Sequence, residues 1–366
     1  MKVQFFYGYS ILVLGMAVLL VSCEAPNSRS QSFQSSSSPT PSKAWVVGTL
    51  AGSGAGGFAG GAGTEAQFYH PHGVAVDTDG NVYVADTHNH RIRKITADGA
   101  VSTLAGSGAA GFAEGTGTAA HFHTPIDVAV DSAGNVYVAD SHNHRIRKIT
   151  AGVVTTLAGT GVAGSANGDP LTEAQFNAPV SLTVDSAGNV YVGDATYHRI
   201  RKITAVEVTT LAGSTAGFEE GTGTEAQFNQ PRGVAVDTDG NVYVADYYNH
   251  RIRKITADGE VGTLAGTDTP GHMDATGTAA FFKYPLGVAL DSSGNVYVAD
   301  YYNHRIRKIT AAGEVSTIAG TGTKGSANGT SAQFNWPYDV AVDTDGNVYV
   351  ADKDNHRIRK IEYRVP

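Results

Sequence analysis

Residues 127–159 read DVAVDSAGNVYVADSHNHRIRKITAGVVTTLAG. Four short runs rich in Val, Tyr, Ile and Thr stand out, at 127–131, 135–140, 144–150 and 153–159. Such residues suit a pleated strand, and the D-S-A-G-N that joins the first two runs has the Gly, Asp and Asn of a tight hairpin. The next junction, S-H-N, is just as short. This stretch predicts a four-stranded antiparallel meander.

The meander recurs. The string A-D-x-x-x-H-R-I-R-K-I, or a near copy, places its Asp at Asp86, Asp140, Asp194, Asp246, Asp300 and Asp352, and six copies of a 52- to 54-residue unit form an array of supersecondary modules. The last copy ends with R-I-R-K-I at 357–361 and has no fourth strand, whereas V-V-G-T-L-A-G at 46–52 is a fourth strand without a blade. One end of the chain therefore supplies what the other lacks. The predicted fold is all-β: a six-bladed β-propeller of four-stranded antiparallel blades, with the last blade closed by the N-terminal strand. Closure of this kind hides sheet edges that would otherwise invite aggregation.

The unit G-V-A-V-D-x-x-G-N-V-Y-V-A-D-x-x-N-H-R-I-R-K-I resembles the NHL repeat from Trp45 onward. That resemblance implies the propeller but not a single activity. Propellers with NHL repeats include RNA binders, protein-binding scaffolds and extracellular sensor domains, and related six-bladed rings include lactonases and an amidating lyase.

Composition narrows these classes. The formal charge is -8, and six R-x-R-K strings account for 18 of the 26 Lys and Arg, which leaves no basic arm for a nucleic acid. At the N-terminus Lys2 precedes an apolar run at 11–21 and then L-V-S-C at 20–23. This resembles the lipobox of bacterial lipoproteins, which implies cleavage before Cys23 and acylation of that Cys; an uncleaved anchor over 5–21 is the alternative. Cys23 is the sole cysteine, so an intrachain disulfide is excluded. The Ser- and Pro-rich stretch 24–43 reads as a disordered linker spanning roughly 25 Å. The expected organisation is a signal peptide over 1–22, an acylated Cys and linker over 23–43, and the propeller over 44–366. A monomeric, membrane-anchored lipoprotein in the periplasm or on the cell surface follows as the expectation.

Strand direction sorts the loops into two faces. The D-x-x-G-N turns and the third-to-fourth turns share a bottom face and are nearly identical among copies. The second-to-third turns and the links between blades share a top face, where the copies diverge. Just before each blade's Pro stand His70, Thr124, Ala178, Gln230, Tyr284 and Trp336, and just after it His72, Ile126, Val180, Arg232, Leu286 and Tyr338. First strands then begin on Gly73, Asp127, Ser181, Gly233, Gly287 and Asp339. A surface that differs between otherwise copied units is where an asymmetric ligand is read. The candidates for that surface are His70, His72, Asp127, Arg232, Tyr248, Tyr284, Tyr302, Trp336, Tyr338 and Asp339. Exposed aromatics among them suit a protein, peptide or glycan ligand, because they bring contact area at low entropic cost.

Other motifs read as architecture. The six His of the H-R-I string are spread around a ring and cannot converge on one ion. His70, His72, His88, His121, His123 and His142 gather in blades one and two at irregular spacing, and no metal is assigned to them. The repeated Asp86 and Arg91 are expected to pair and pin each tight turn. No G-x-S-x-G and no free catalytic Cys are present, so no catalytic residue or cofactor is assigned; a metal-dependent lactonase- or lyase-like enzyme is the alternative to a binding propeller. Gly106, Gly108 and Gly111 spell G-x-G-x-x-G, but the motif recurs at Gly52, Gly159 and Gly320 without a long helix to follow it. It reads as a flexible crossing between blades.

Overall fold

The computed structural model describes residues 42–366. The signal peptide, Cys23 and nearly all of the expected linker lie outside the described residues. What is described is six antiparallel sheets, five of them built from strands that follow one another in the chain and the sixth taking its outer strand from the N-terminal side. In the second blade these are Pro125–Val130, Val136–Asp140, Arg145–Thr150 and Val153–Ala158, running from the axis outward. Helical structure among the described residues is confined to three-residue 3-10 turns.

The closure holds as expected. Strand Ala44–Ala51 pairs with Arg357–Arg364 from Ala44 opposite Arg364 to Ala51 opposite Ile358, and so completes the sixth blade from the far end of the chain. Val47 and Ala51 are buried there.

Both faces of every blade are covered, which explains why V-Y-V-A-D carries no apolar-polar alternation. In the first blade Val82 and Val84 turn toward the sixth blade and pack with Tyr349 and Ala351. Tyr83 and Ala85 turn the other way, onto Val136, Val138 and Ile149 of the second blade. Phe122, from the link between those blades, fills the gap and is fully buried. Below this layer Asp77 Oδ1 accepts the N–H groups of Asp79 and Asn81, and its Oδ2 accepts the Tyr83 hydroxyl at 3.0 Å, so the D-T-D-G-N turn consumes its own carboxylate.

The Gly-rich links are better ordered than a flexible crossing. Gly115–Thr116 adds a fifth strand to the outer edge of the second blade, and equivalent pairs do so in the first and fourth. In the other three blades single bridges, such as Gly168 with Val208, take the same place. Gly106 N–H donates to Gly117 O while Gly117 N–H donates to Gly152 O, tying neighbouring outer strands together. Gly106 has φ of +102°, and a Cβ there would strike His90 O, so only Gly allows the passage.

Candidate functional site

Two repeated devices hold the top face in place. The second strand ends on a buried Asp whose partner is the second Arg of R-x-R, not the first as expected from sequence. Asp86 Oδ2 accepts from Arg93 Nη1 at 2.9 Å and from Asn89 Nδ2 at 2.9 Å, and its Oδ1 accepts the Tyr69 N–H at 2.8 Å. Arg93 is fully buried, donates also to Gln67 O and Ala59 O, and lies between the rings of Phe58 and Phe68. Arg91 sits at the strand start, nearer the surface. Its guanidinium covers Phe58 at 3.8 Å and donates to Ser107 O, so it has no need of Asp86. Burial pushes the Asp86 carboxyl up, and its hydrogen bonds and Arg93 draw it back.

The second device is the H-R-I histidine. His90 caps a 3-10 turn with φ of +52°, and its Nδ1 accepts the backbone N–H of Thr124 in the next blade at 3.1 Å. The same bond joins His356 to His70, His144 to Ala178, His198 to Gln230, His250 to Tyr284 and His304 to Trp336. Each residue before the blade's Pro is thereby held at positive φ, between +49° and +62°. Six variable side chains are thus fixed in one orientation by an invariant frame.

On that frame the aromatic candidates form one arc. Starting in blade four, ring centroids run Tyr248 to Tyr284 at 5.7 Å, Tyr284 to Tyr302 at 4.8 Å, Tyr302 to Trp336 at 4.8 Å and Trp336 to Tyr301 at 4.7 Å. Tyr301 meets Tyr338 at 6.0 Å, Tyr338 stacks on His72 at 4.1 Å, His72 reaches His88 at 6.2 Å, and His88 meets His70 at 4.8 Å. Tyr248 and Tyr302 remain exposed, whereas Tyr301 is buried beneath its neighbours. Arg232 lies over Tyr247 at 5.1 Å, and Lys324 and Lys353 approach Trp336 at 4.7 and 5.7 Å. These two lysines were missing from the sequence candidates. Their positions within the second-to-third turns or links were the available signal.

The axial candidates lie inside the ring. A cavity of about 280 Å³ is lined by first-strand residues of all six blades, mostly Val, Ala and Leu. A second, small pocket of about 10 Å³ shares Asp127, Ser181 and Asp339 with it and is lined also by Arg232, Leu286 and Tyr338. Asp127 Oδ1 accepts Val128 N–H and Oδ2 accepts Leu182 N–H, both at 2.8 Å, while Asp339 Oδ2 accepts Val74 N–H at 2.9 Å. Burial, then the charge of Asp127, raises the Asp339 carboxyl well above its ordinary range; burial raises Asp127 as well. One proton between the two acids relieves both. A metal, which the lactonase- or lyase-like alternative requires, does not fit here: three of the four carboxylate oxygens already accept backbone N–H groups, from Val128 of the same strand and from Leu182 and Val74 of adjacent blades, and no His joins the pair in the cavity lining. Nor do the described residues contain any group of three His, Cys, Asp or Glu arranged to hold an ion.

The histidine sector divides. His70, His88 and His356 cluster beside Asp354, with His70 Nδ1 3.2 Å from Asp354 Oδ1, while His123 and His142 form a separate pair at 5.0 Å. His72 is buried with neither ring nitrogen partnered, and burial holds its pKa well below the ordinary value.

A sequence profile described as the NHL repeat matches residues 68–95, 122–149, 228–255, 282–309 and 334–361. The chain carries NHL repeats. The five matched NHL segments fall in every blade but the third, where Tyr197 replaces the Asn that elsewhere binds the buried Asp and the Asp194–Arg201 pair opens to 3.5 Å. Among relatives, the chain is 31% identical over 317 residues to the Arabidopsis thaliana protein SUPPRESSOR OF QUENCHING 1, chloroplastic, covering 80% of this chain and 30% of that one. It is 30% identical over 339 residues to NHL repeat-containing protein 2 of Bos taurus, covering 80% and 46%. The chain thus spans less than half the length of these curated relatives. An auxiliary nutrient binding protein from Bacteroides thetaiotaomicron has the same fold, with a TM-score of 0.66 at 17% identity over 88% of this chain and 77% of that one.

Proposed function

We propose that the protein is a lipid-anchored propeller of the bacterial cell envelope, periplasmic or surface-exposed, that binds a protein, peptide or glycan on its top face and performs no chemistry there. The observation that carries this reading is the aromatic arc. In a molecule whose blades are near copies, the residues that differ assemble a ring-lined surface over blades four, five and six, whose ring contacts continue to blade one through the buried Tyr301 and His72. Rigid aromatics held in tight turns contribute area without losing much freedom on binding. Binding is also the role named for the Bacteroides thetaiotaomicron propeller that shares the fold.

Anchoring rests on the lipobox-like L-V-S-C at 20–23. Cys23→Ser in the full chain should move the protein from the membrane to the soluble fraction; unchanged fractionation would remove the anchor from the account. For recognition, the full chain is applied to arrayed glycans and peptides beside the double variant Tyr248→Ala, Tyr302→Ala. Signals should fall by about tenfold or more with the variant. Retention of every signal would exclude the arc as the binding surface.

A further inference from the structure

Resting on top-face binding, we infer that the segment of the arc centred on Trp336 takes an acidic polysaccharide of the uronate type, with aromatic rings against the sugar faces and lysines at the carboxylates. Charge is the first observation. The chain carries -8 overall, yet Arg232, Lys283, Lys324 and Lys353 border the rings; Asp127 and Asp339 lie buried beneath Arg232, and Asp268 and Asp354 lie beside the lysines. Lys353 Nζ and Asp354 pair at 3.2 Å and offset each other, which leaves Lys283 and Lys324 against Asp268 as the excess beside the rings. Lys324 and Lys353 flank a single indole, and Lys283 lies 6.0 Å from the Tyr302 ring. A local excess of positive charge on an acidic protein selects an anionic ligand.

Backbone chemistry distinguishes a saccharide from an acidic peptide. Along the arc the main-chain N–H groups are spent: Tyr248 donates to Asn229 O, Tyr302 to Lys283 O, Tyr284 to His250 Nδ1 and Trp336 to His304 Nδ1. The outer edges of the blades are partly covered by links, two residues in the first, second and fourth and a single bridge in the others, which shortens the edge open to strand addition. What remains for recognition is ring faces and ammonium groups. A uronate chain offers both counterparts, C–H faces and one carboxylate per sugar, whereas a peptide depends more on its backbone.

The test is isothermal titration of the full chain with polygalacturonate, neutral dextran and poly-glutamate. Polygalacturonate should bind, weakening several-fold as salt rises from about 0.05 to 0.5 M, and dextran and poly-glutamate should bind at least about tenfold more weakly. Tyr302→Ala should weaken polygalacturonate by about tenfold, with Tyr302→Phe restoring most of it, and Lys324→Gln with Lys353→Gln should lower affinity and flatten the salt dependence. No polygalacturonate binding, or binding indifferent to both sets of variants, overturns the inference. Equal binding of poly-glutamate overturns it in favour of an acidic peptide. Dextran binding that depends on Tyr302 overturns it while leaving top-face recognition intact.

Discussion

The H-R-I histidines join the blades only while Nδ1 is unprotonated. Burial lowers the pKa of His90, His144, His198, His250, His304 and His356 below the ordinary 6.5. The unfolded chain therefore takes up these protons first, and stability is complete above about 6.5 and falls as pH drops toward the folded-state values. The axial acids act in the opposite sense. A raised Asp339 pKa favours the fold at low pH, and that contribution is lost as pH rises through the raised value. Asp339→Asn should raise Tm more at pH 8 than at pH 5; an equal shift at both would deny the shared proton. The Tm difference between the parent chain and His144→Ala should shrink as pH falls from 7 to 5, and a constant difference would contradict the histidine frame. His144→Ala should cost about 1–2 kcal/mol from the lost hydrogen bond and a residue left at positive φ.

Within a blade the buried Asp–Arg pair fastens the second strand, the third strand and the incoming link. Breaking such a pair leaves a buried charge, so Asp300→Asn should cost about 3–5 kcal/mol in a urea melt. Asp194→Asn should cost clearly less: its pair is longer, Tyr197 has replaced the supporting Asn, and burial pushes its carboxyl up to about 7. Equal costs would mean that the pair is not what distinguishes the third blade. Deleting residues 45–52 exposes the outer edge of the sixth blade and the cavity vacated by Val47 and Ala51, and should lower Tm by roughly 10 °C or more. Strands and hairpins were legible because runs of Val, Tyr, Ile and Thr, turn residues and period agreed. The salt-bridge partner was not, because Arg91 and Arg93 lie on the same side of one strand and only packing shows which head is enclosed. The link's edge pairing was hidden for another reason, since Gly-rich sequence states where bending is allowed and not what it pairs with.

Across the whole molecule, sixfold repetition supplies rigidity and the departures from it supply a surface. Divergent positions were readable by comparing the copies with one another; eight of the ten candidates lie along or beside the arc, whereas Asp127 and Asp339 line the axial cavity beneath it. The continuity of that arc was not readable, because Tyr248 and His70 are far apart in the chain and become joined only through ring closure of the sixth blade onto the first. Nor did sequence show that Lys324, from a link, and Lys353, from a turn, meet over one Trp. The most direct test of asymmetric recognition on this symmetric scaffold is hydroxyl-radical footprinting of the full chain with and without polygalacturonate. Protection is predicted at Tyr248, Tyr284, Tyr302 and Trp336, with Phe58, Phe112 and Tyr363 unchanged. Protection at those last three, or at no ring of the arc, would contradict it.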